Sequence, residues 1–208
     1  MRIAIIGAGS VGTALGQSWL KRGQDVTWGL RNPADPKYAA LPKERLKPPA
    51  EAAKAAEVVV IATPWPATEA AVKSLGNLAG KVVIDCTNPL GMGPDGIGLV
   101  LGFDTSAGEQ VAGWALGASV FKALNTTGAS NMARAADYKV KPVMPVAGDD
   151  AAKKPVVTEL VGLLGFEAID AGPLKNARLL EPFAMVWIDQ AMKRGRGRDF
   201  AFALAKLN

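Results

Sequence analysis

Arg2-Ile3-Ala4-Ile5-Ile6-Gly7-Ala8-Gly9-Ser10-Val11-Gly12 decides how the rest of the chain is read. Ile3 to Ile6 is a short, wholly apolar run ended by glycine, the pattern of a strand buried on both faces. Ser10 to Lys21 then carries small or apolar residues at Val11, Ala14, Leu15, Ser18 and Trp19, which is helical spacing, and Gly23 ends it. Gly7, Gly9 and Gly12 form GxGxxG after a strand and at the start of a helix, the context that gives the motif its meaning. The first glycine makes the turn, the second lets backbone N–H groups approach a pyrophosphate, and the third lets helix and strand pack closely. The helix N-terminus adds partial positive charge for the phosphates. A glycine-rich turn without a ligand is the bland alternative.

Asp25 to Trp28 reads as the second strand. An NAD-selective site places an acid about 20 residues beyond the glycines, on the ribose 2′-OH. Here that place reads Gly29-Leu30-Arg31-Asn32-Pro33, with no acid. Arg31 is instead placed to pair its planar fork with a 2′-phosphate, which favours NADP. A solvated loop arginine is the alternative, and Lys37 and Lys43 are weaker candidates for the same phosphate that read first as surface charges.

Further along, Arg31 to Pro49 is mostly loop, and Ala50 to Ala56 a short helix. Glu57 to Ala62 and Lys81 to Asp85 are strands with a helix to about Leu78 between them. Asn88 to Gly108 is glycine-rich and reads as irregular. A helix over Glu109 to Leu116 leads into a strand at Ala118 to Ala123. Val143 to Ala147 is a strand, with Gly148-Asp149-Asp150 opening a helix to Leu164 in which Pro155 disturbs the first turn. Phe166 to Asp170 is a strand and Leu174 to about Lys193 a long helix. Alternation around Phe200, Phe202 and Leu204 predicts a terminal strand over Asp199 to Leu207. Strands alternating with helices give an α/β fold, a doubly wound, mostly parallel, Rossmann-type sheet. We expect a dinucleotide-binding domain over 1–141 and a small C-terminal α/β unit over 142–208 packed on it.

Composition sets the limits of the chemistry. The 208 residues suffice for one well-buried domain with an appendage. There is no histidine, which removes Ser-His-Asp and Cys-His catalysis and histidine metal ligands. One cysteine excludes an intrachain disulfide and fits a reducing cytoplasm. No apolar stretch approaches the ~20 residues of a membrane span, and the N-terminus does not read as a signal peptide. The net charge of +5 is too modest to imply nucleic acid.

Other strand ends carry chemistry of their own. Thr63-Pro64-Trp65-Pro66 ends one strand, so Trp65 either walls a cofactor or packs in the core. Asn88 suits a nicotinamide or a second planar ring, and equally a turn before proline. Lys122 could neutralise an anionic substrate or a reduced ring, or be a salt-bridged lysine. Cys86 reads as a small buried hydrophobe. Asp149-Asp150 reads as a cap, so no metal site is expected. The basic run Lys193-Arg194-Gly195-Arg196-Gly197-Arg198 lacks interleaved aromatics and reads as a solvated connector or a partner contact.

The strings GAGSVGTALG, WGLRNP, VIATPW, VVIDCTNPL, VFKALNT, PVAGDD and IDAGPLKNARLLEP occur in this order over nearly the whole chain. Together they resemble the NADPH-dependent F420 reductases (F420H2:NADP oxidoreductases) and their bacterial NADP oxidoreductase relatives. The cytoplasmic domain of the STEAP metalloreductases is similar too. The resemblance implies that Gly7, Gly9, Ser10, Val11 and Gly12 bind the pyrophosphate, and that Arg31 and Asn32 meet the 2′-phosphate. Thr63, Pro64 and Trp65 would line the nicotinamide half, with Asn88, Pro89 and Leu90 near the place where two rings meet. Lys122 and Asn125 join this set as cofactor-binding candidates. Family members often carry a small hydroxyl residue before the arginine, where this chain has Leu30, so NADP preference rests on Arg31. The resemblance also implies a homodimer using the C-terminal helix and tail.

The expected chemistry is hydride transfer between NADP(H) and a small-molecule redox acceptor, deazaflavin F420 or a flavin (FMN or FAD), with no side-chain acid or base in the transfer itself. Two alternatives stand beside it. One is an NADPH-dependent reductase of a small carbonyl or imine, using Lys122 as proton carrier. The other is a non-catalytic NADP sensor, in which Met92 or Phe103 from the Gly91–Gly108 loop plugs the acceptor pocket.

Overall fold

The structure, a computed structural model, describes residues 1–207. Its strands are β1 (Arg2–Ile6), β2 (Asp25–Gly29), β3 (Leu46–Lys47), β4 (Val58–Ile61), β5 (Val82–Asp85), β6 (Leu90–Gly93), β7 (Gly96–Leu99), β8 (Ser119–Lys122), β9 (Val143–Gly148) and β10 (Glu167–Asp170). Its α-helices are α1 (Ser10–Leu20), α2 (Pro49–Ala55), α3 (Trp65–Lys73), α4 (Ala107–Trp114), α5 (Ala129–Arg134), α6 (Lys154–Leu163) and α7 (Ala177–Met192). Eight strands form one sheet in the order β10-β9-β8-β5-β4-β1-β2-β3, and β6 and β7 pair separately. All neighbours in the large sheet run parallel except β8 and β9. This is the doubly wound α/β sheet expected, with β9 and β10 continuing it past β8 rather than forming a second sheet.

Helices on both faces explain why β4, β5 and β9 are buried at every position. Successive β1 residues serve opposite cores. Ile3 and Ile5 pack with Leu15 and Trp19 of α1, Met132 of α5 and Leu160 of α6. Ala4 and Ile6 face Ala52 of α2, Val72 of α3 and Val111 of α4. The Trp19 indole N–H donates to the Leu160 carbonyl at 2.9 Å, joining α1 to α6.

Strand order reverses between β1 and β4. After β1 the chain builds outward through β2 and β3, then returns to the other side of β1. A crevice outside the carboxyl ends of β1 and β4 is the position where such sheets bind ligands.

Three expectations need correction. Asp199 to Leu207 is not a strand. One backbone bond, Val143 N–H to the Phe202 carbonyl at 2.9 Å, replaces a ladder. The Phe200/Phe202 alternation has another cause: Phe200 stacks on Trp187 at 5.3 Å and Phe202 packs on Phe183 at 4.7 Å. Asn88 to Gly108 is not wholly irregular, since β6 and β7 form a hairpin around Pro94-Asp95. Glycines at 91, 93, 96 and 98 hid it by removing the side chains that mark a strand. Finally, α6 begins at Lys154, so Pro155 lies in its first turn, where the missing N–H costs nothing.

Candidate functional site

The glycine loop joins β1 to α1 at the crevice. Gly7 has φ +103°, and a Cβ there would lie 2.7 Å from the Ala62 carbonyl oxygen at the end of β4. Only glycine combines that backbone with that proximity. A Cβ on Gly12 would overlap the Gly7 carbonyl, so α1 can lie this close to β1 only with glycine there. Gly9 behaves differently: a Cβ on it would meet nothing within 4 Å. It caps α1 with no side-chain hydrogen bond, and no acid lies in the first turn. The leading N–H groups of an eleven-residue helix therefore face an open approach. Beside them runs a groove of about 520 Å³ lined by Ala8, Gly9, Ser10 and Thr13 on one side and Ala129 and Ser130 on the other.

At the end of β2, Leu30 is only 2% exposed and packs in the core, whereas Arg31 and Asn32 are exposed. Among the described residues Arg31 takes part in no ion pair, while nearby Lys37 is held by Asp35 at 2.8 Å. Arg31 is thus an available cation at the end of β2, as is the exposed Lys43 farther along the loop, and residue 30 points inward.

At the end of β4, Thr63 Oγ1 lies 2.9 Å from Thr68 Oγ1, which also bonds the Pro64 carbonyl at 3.1 Å. Trp65 starts α3 and stacks on Trp114 of α4 at 5.6 Å. Trp65 and Thr63 are half-buried and Pro64 between them is exposed.

At the ends of β5 and β8, two asparagines embrace. Asn88 Nδ2 donates to the Asn125 carbonyl at 2.9 Å, and Asn125 Nδ2 donates to Asn88 Oδ1 at 3.0 Å and to the Leu180 carbonyl at 3.2 Å. Leu124, just before, is held at φ +59° while fully buried, a strained conformation that surrounding packing must impose. Among the described residues the buried Asn125 Oδ1 and Thr87 Oγ1 have no hydrogen-bond partner. Pro89 is buried, Leu90 half-buried.

Lys122 requires a correction. It is fully buried, and its ammonium lies 2.8 Å from Asp85 Oδ2, 2.8 Å from Glu181 Oε1 and 2.5 Å from the Thr87 carbonyl. Three donors meet three oxygens, so none is left to touch a cofactor or to carry a proton to a carbonyl substrate. Burial opposes the charge, but Asp85 and Glu181 outweigh it and hold the amine above the ordinary lysine range. Asp85 and Lys122 are register partners, and oppositely charged ends on two apolar strands were the legible signal for that pair. Nothing comparable marked Glu181, one acid on an amphipathic helix.

The remaining singled-out residues are structural. Burial pushes the Cys86 thiol far up, which removes thiolate chemistry. Asp150 caps Ala152 and Lys153 and accepts the Ser119 hydroxyl, while Asp149 accepts the Leu174 N–H. Among the described residues no cluster of three potential metal ligands occurs, and no helix is long and apolar enough to cross a membrane.

Residues 2–89 match the family described as NADP oxidoreductase, coenzyme F420-dependent. The chain is also 30% identical over 210 residues to the F420-dependent NADP reductase of Methanothermobacter marburgensis, covering 93% of each. It belongs to the F420-dependent NADP oxidoreductase family. A crystal structure of a candidate F420-dependent NADP reductase from Arthrobacter sp. FB24 superposes with a TM-score of 0.89 at 33% identity, covering 99% of this chain and 100% of that one. A Sinorhizobium meliloti protein described as hypothetical follows with a TM-score of 0.74 at 26% identity, covering 85% and 88%. Membership thus extends over the sheet and C-terminal elements of this NADP oxidoreductase.

Proposed function

We propose that this oxidoreductase passes a hydride between NADP(H) and deazaflavin F420. The observation that carries the cofactor is Arg31: exposed, in no ion pair among the described residues, and at the end of a β2 that offers no acid for a ribose 2′-OH. The open Gly9 and the uncapped α1 N-terminus fit a pyrophosphate. The names of the similar proteins support F420 as acceptor.

When bound, the two cofactors supply the redox chemistry, and the chain binds and orients them. Gly9, Ser10, Val11 and Gly12 present backbone N–H groups to the pyrophosphate, while Gly7, whose own N–H donates to the Gly29 carbonyl at 3.2 Å, makes the turn, and Arg31 with Asn32 meets the 2′-phosphate. Thr63 and Pro64 border the nicotinamide half, with the Asn88–Asn125 pair and Leu90 closing the ring end. Met92, at 80% exposure, and the fully exposed Phe103 leave that end unplugged, which supports an acceptor site over a sensor. Two copies of the chain pair through the exposed apolar residues Leu179 and Val186 of α7, with sedimentation as the check.

The test mixes purified protein and NADPH with F420, FMN or FAD and follows NADPH absorbance. We expect oxidation with F420. Loss of absorbance with none of the three refutes transfer between rings, and loss with FMN or FAD alone refutes F420.

A further inference from the structure

We propose that Lys122 is a positioning residue that sets the Thr87–Asn88 backbone for the nicotinamide half and ties that loop to α7. The proposal rests on the NADP reading above. Lys122 holds the Thr87 carbonyl directly, at 2.5 Å. It also holds Asp85 Oδ2 at 2.8 Å, and Asp85 Oδ1 accepts the Thr87 N–H at 2.9 Å. Both backbone groups of Thr87 are therefore fixed by one buried ion pair. The next residue, Asn88, is the one that clasps Asn125. Any rotation of the Thr87 peptide would move Asn88 at the ring end.

The third oxygen on Lys122 belongs to Glu181 of α7. That carboxylate also accepts the Ala107 N–H at 3.0 Å and the Gly108 N–H at 3.1 Å, at the start of α4. One ammonium thus joins β5, β8, α4, α7 and the Thr87 loop. The cluster holds two carboxylates against one ammonium, and the first-turn N–H groups of α4 offset the excess negative charge. Stability alone does not call for it, because well-packed apolar side chains can replace a buried ion cluster at equal or greater stability. What the cluster adds is direction: three fixed hydrogen bonds aimed at named oxygens.

The test separates positioning from folding with two probes. NADPH contains both halves of the cofactor, whereas 2′-phospho-ADP-ribose lacks the nicotinamide. Lys122→Met should weaken NADPH binding by about tenfold or more and lower kcat/KM for NADPH by roughly 100-fold, the scale of a small misplacement at a reacting centre. Its Kd for 2′-phospho-ADP-ribose should stay within about twofold of the parent. Asp85→Asn keeps the shape and removes the excess negative charge, but its single amide oxygen can accept from Lys122 or from the Thr87 N–H and not from both, so it should show the same split even where Lys122→Met does not fold. Equal weakening of both probes, or of neither, overturns the proposal. A parent protein that fails to bind 2′-phospho-ADP-ribose would instead refute the NADP reading.

Discussion

Replacing Arg31 by alanine should cost affinity for NADPH and almost nothing else. A hydrogen bond to a charged group contributes about 1.5–3 kcal/mol, and 1.4 kcal/mol is tenfold in Kd. The loss for NADPH should therefore lie between about 10-fold and about 150-fold. NADH has no 2′-phosphate, so its Kd should stay within about twofold. Arg31 makes no ion pair among the described residues and is exposed, so stability should remain within about 0.5 kcal/mol of the parent. Isothermal titration with both cofactors and one denaturant melt give all three values. Because the site is open to solvent, the preference for NADPH should also narrow as salt rises. Equal weakening of NADPH and NADH would refute the assignment of Arg31 to the 2′-phosphate. So would an unchanged NADPH affinity.

Three further outcomes follow from the packing. Gly12→Ala drives a Cβ into the Gly7 carbonyl and must push α1 off β1; we expect a loss of about 1–3 kcal/mol or more in a urea melt, with weaker NADPH binding. Trp19→Phe leaves the buried Leu160 carbonyl without its indole donor, so stability should fall by about 1–3 kcal/mol in the same melt while NADPH affinity is kept. Acid should weaken the α4–α7 contact. The Arg178 hydrogen bond holds the Glu109 carboxyl below its usual 4.5, against the opposing effect of burial. A depressed folded pKa means that its stabilisation is complete above the unfolded value and lost as pH falls through the folded one. The pair is partly exposed, so the loss should be below about 1 kcal/mol. Urea melts at about pH 6 and about pH 3 should differ less in Arg178→Met than in the parent, and an identical pH dependence in the two would refute the pairing.

Legibility followed the physics of burial. β1, β4 and β5 could be read because strands covered by helices on both faces must be apolar throughout. The glycine loop could be read because its positions answer to backbone sterics, which are local. The β6–β7 hairpin could not, because glycine-rich strands lack a side-chain pattern. The tail misled because aromatic anchors at alternate positions, Phe200 and Phe202, have the same period as a strand. Lys122 had two readings, and its buried partners Asp85 and Glu181 decided between them.

The order of residues by itself determined the doubly wound sheet, the glycine loop between β1 and α1, the absence of histidine and the missing acid at the end of β2. These depend on composition and on spacings of a few residues. Only the tertiary structure decided that among the described residues Arg31 is in no ion pair while Lys37 is, that Leu30 turns into the core, and that Lys122 is enclosed between Asp85 and Glu181. Those outcomes depend on which distant elements meet. Glu181 lies on a helix far along the chain from β5 and β8, and no local pattern encodes that a carboxylate there will complete the coordination of one buried ammonium.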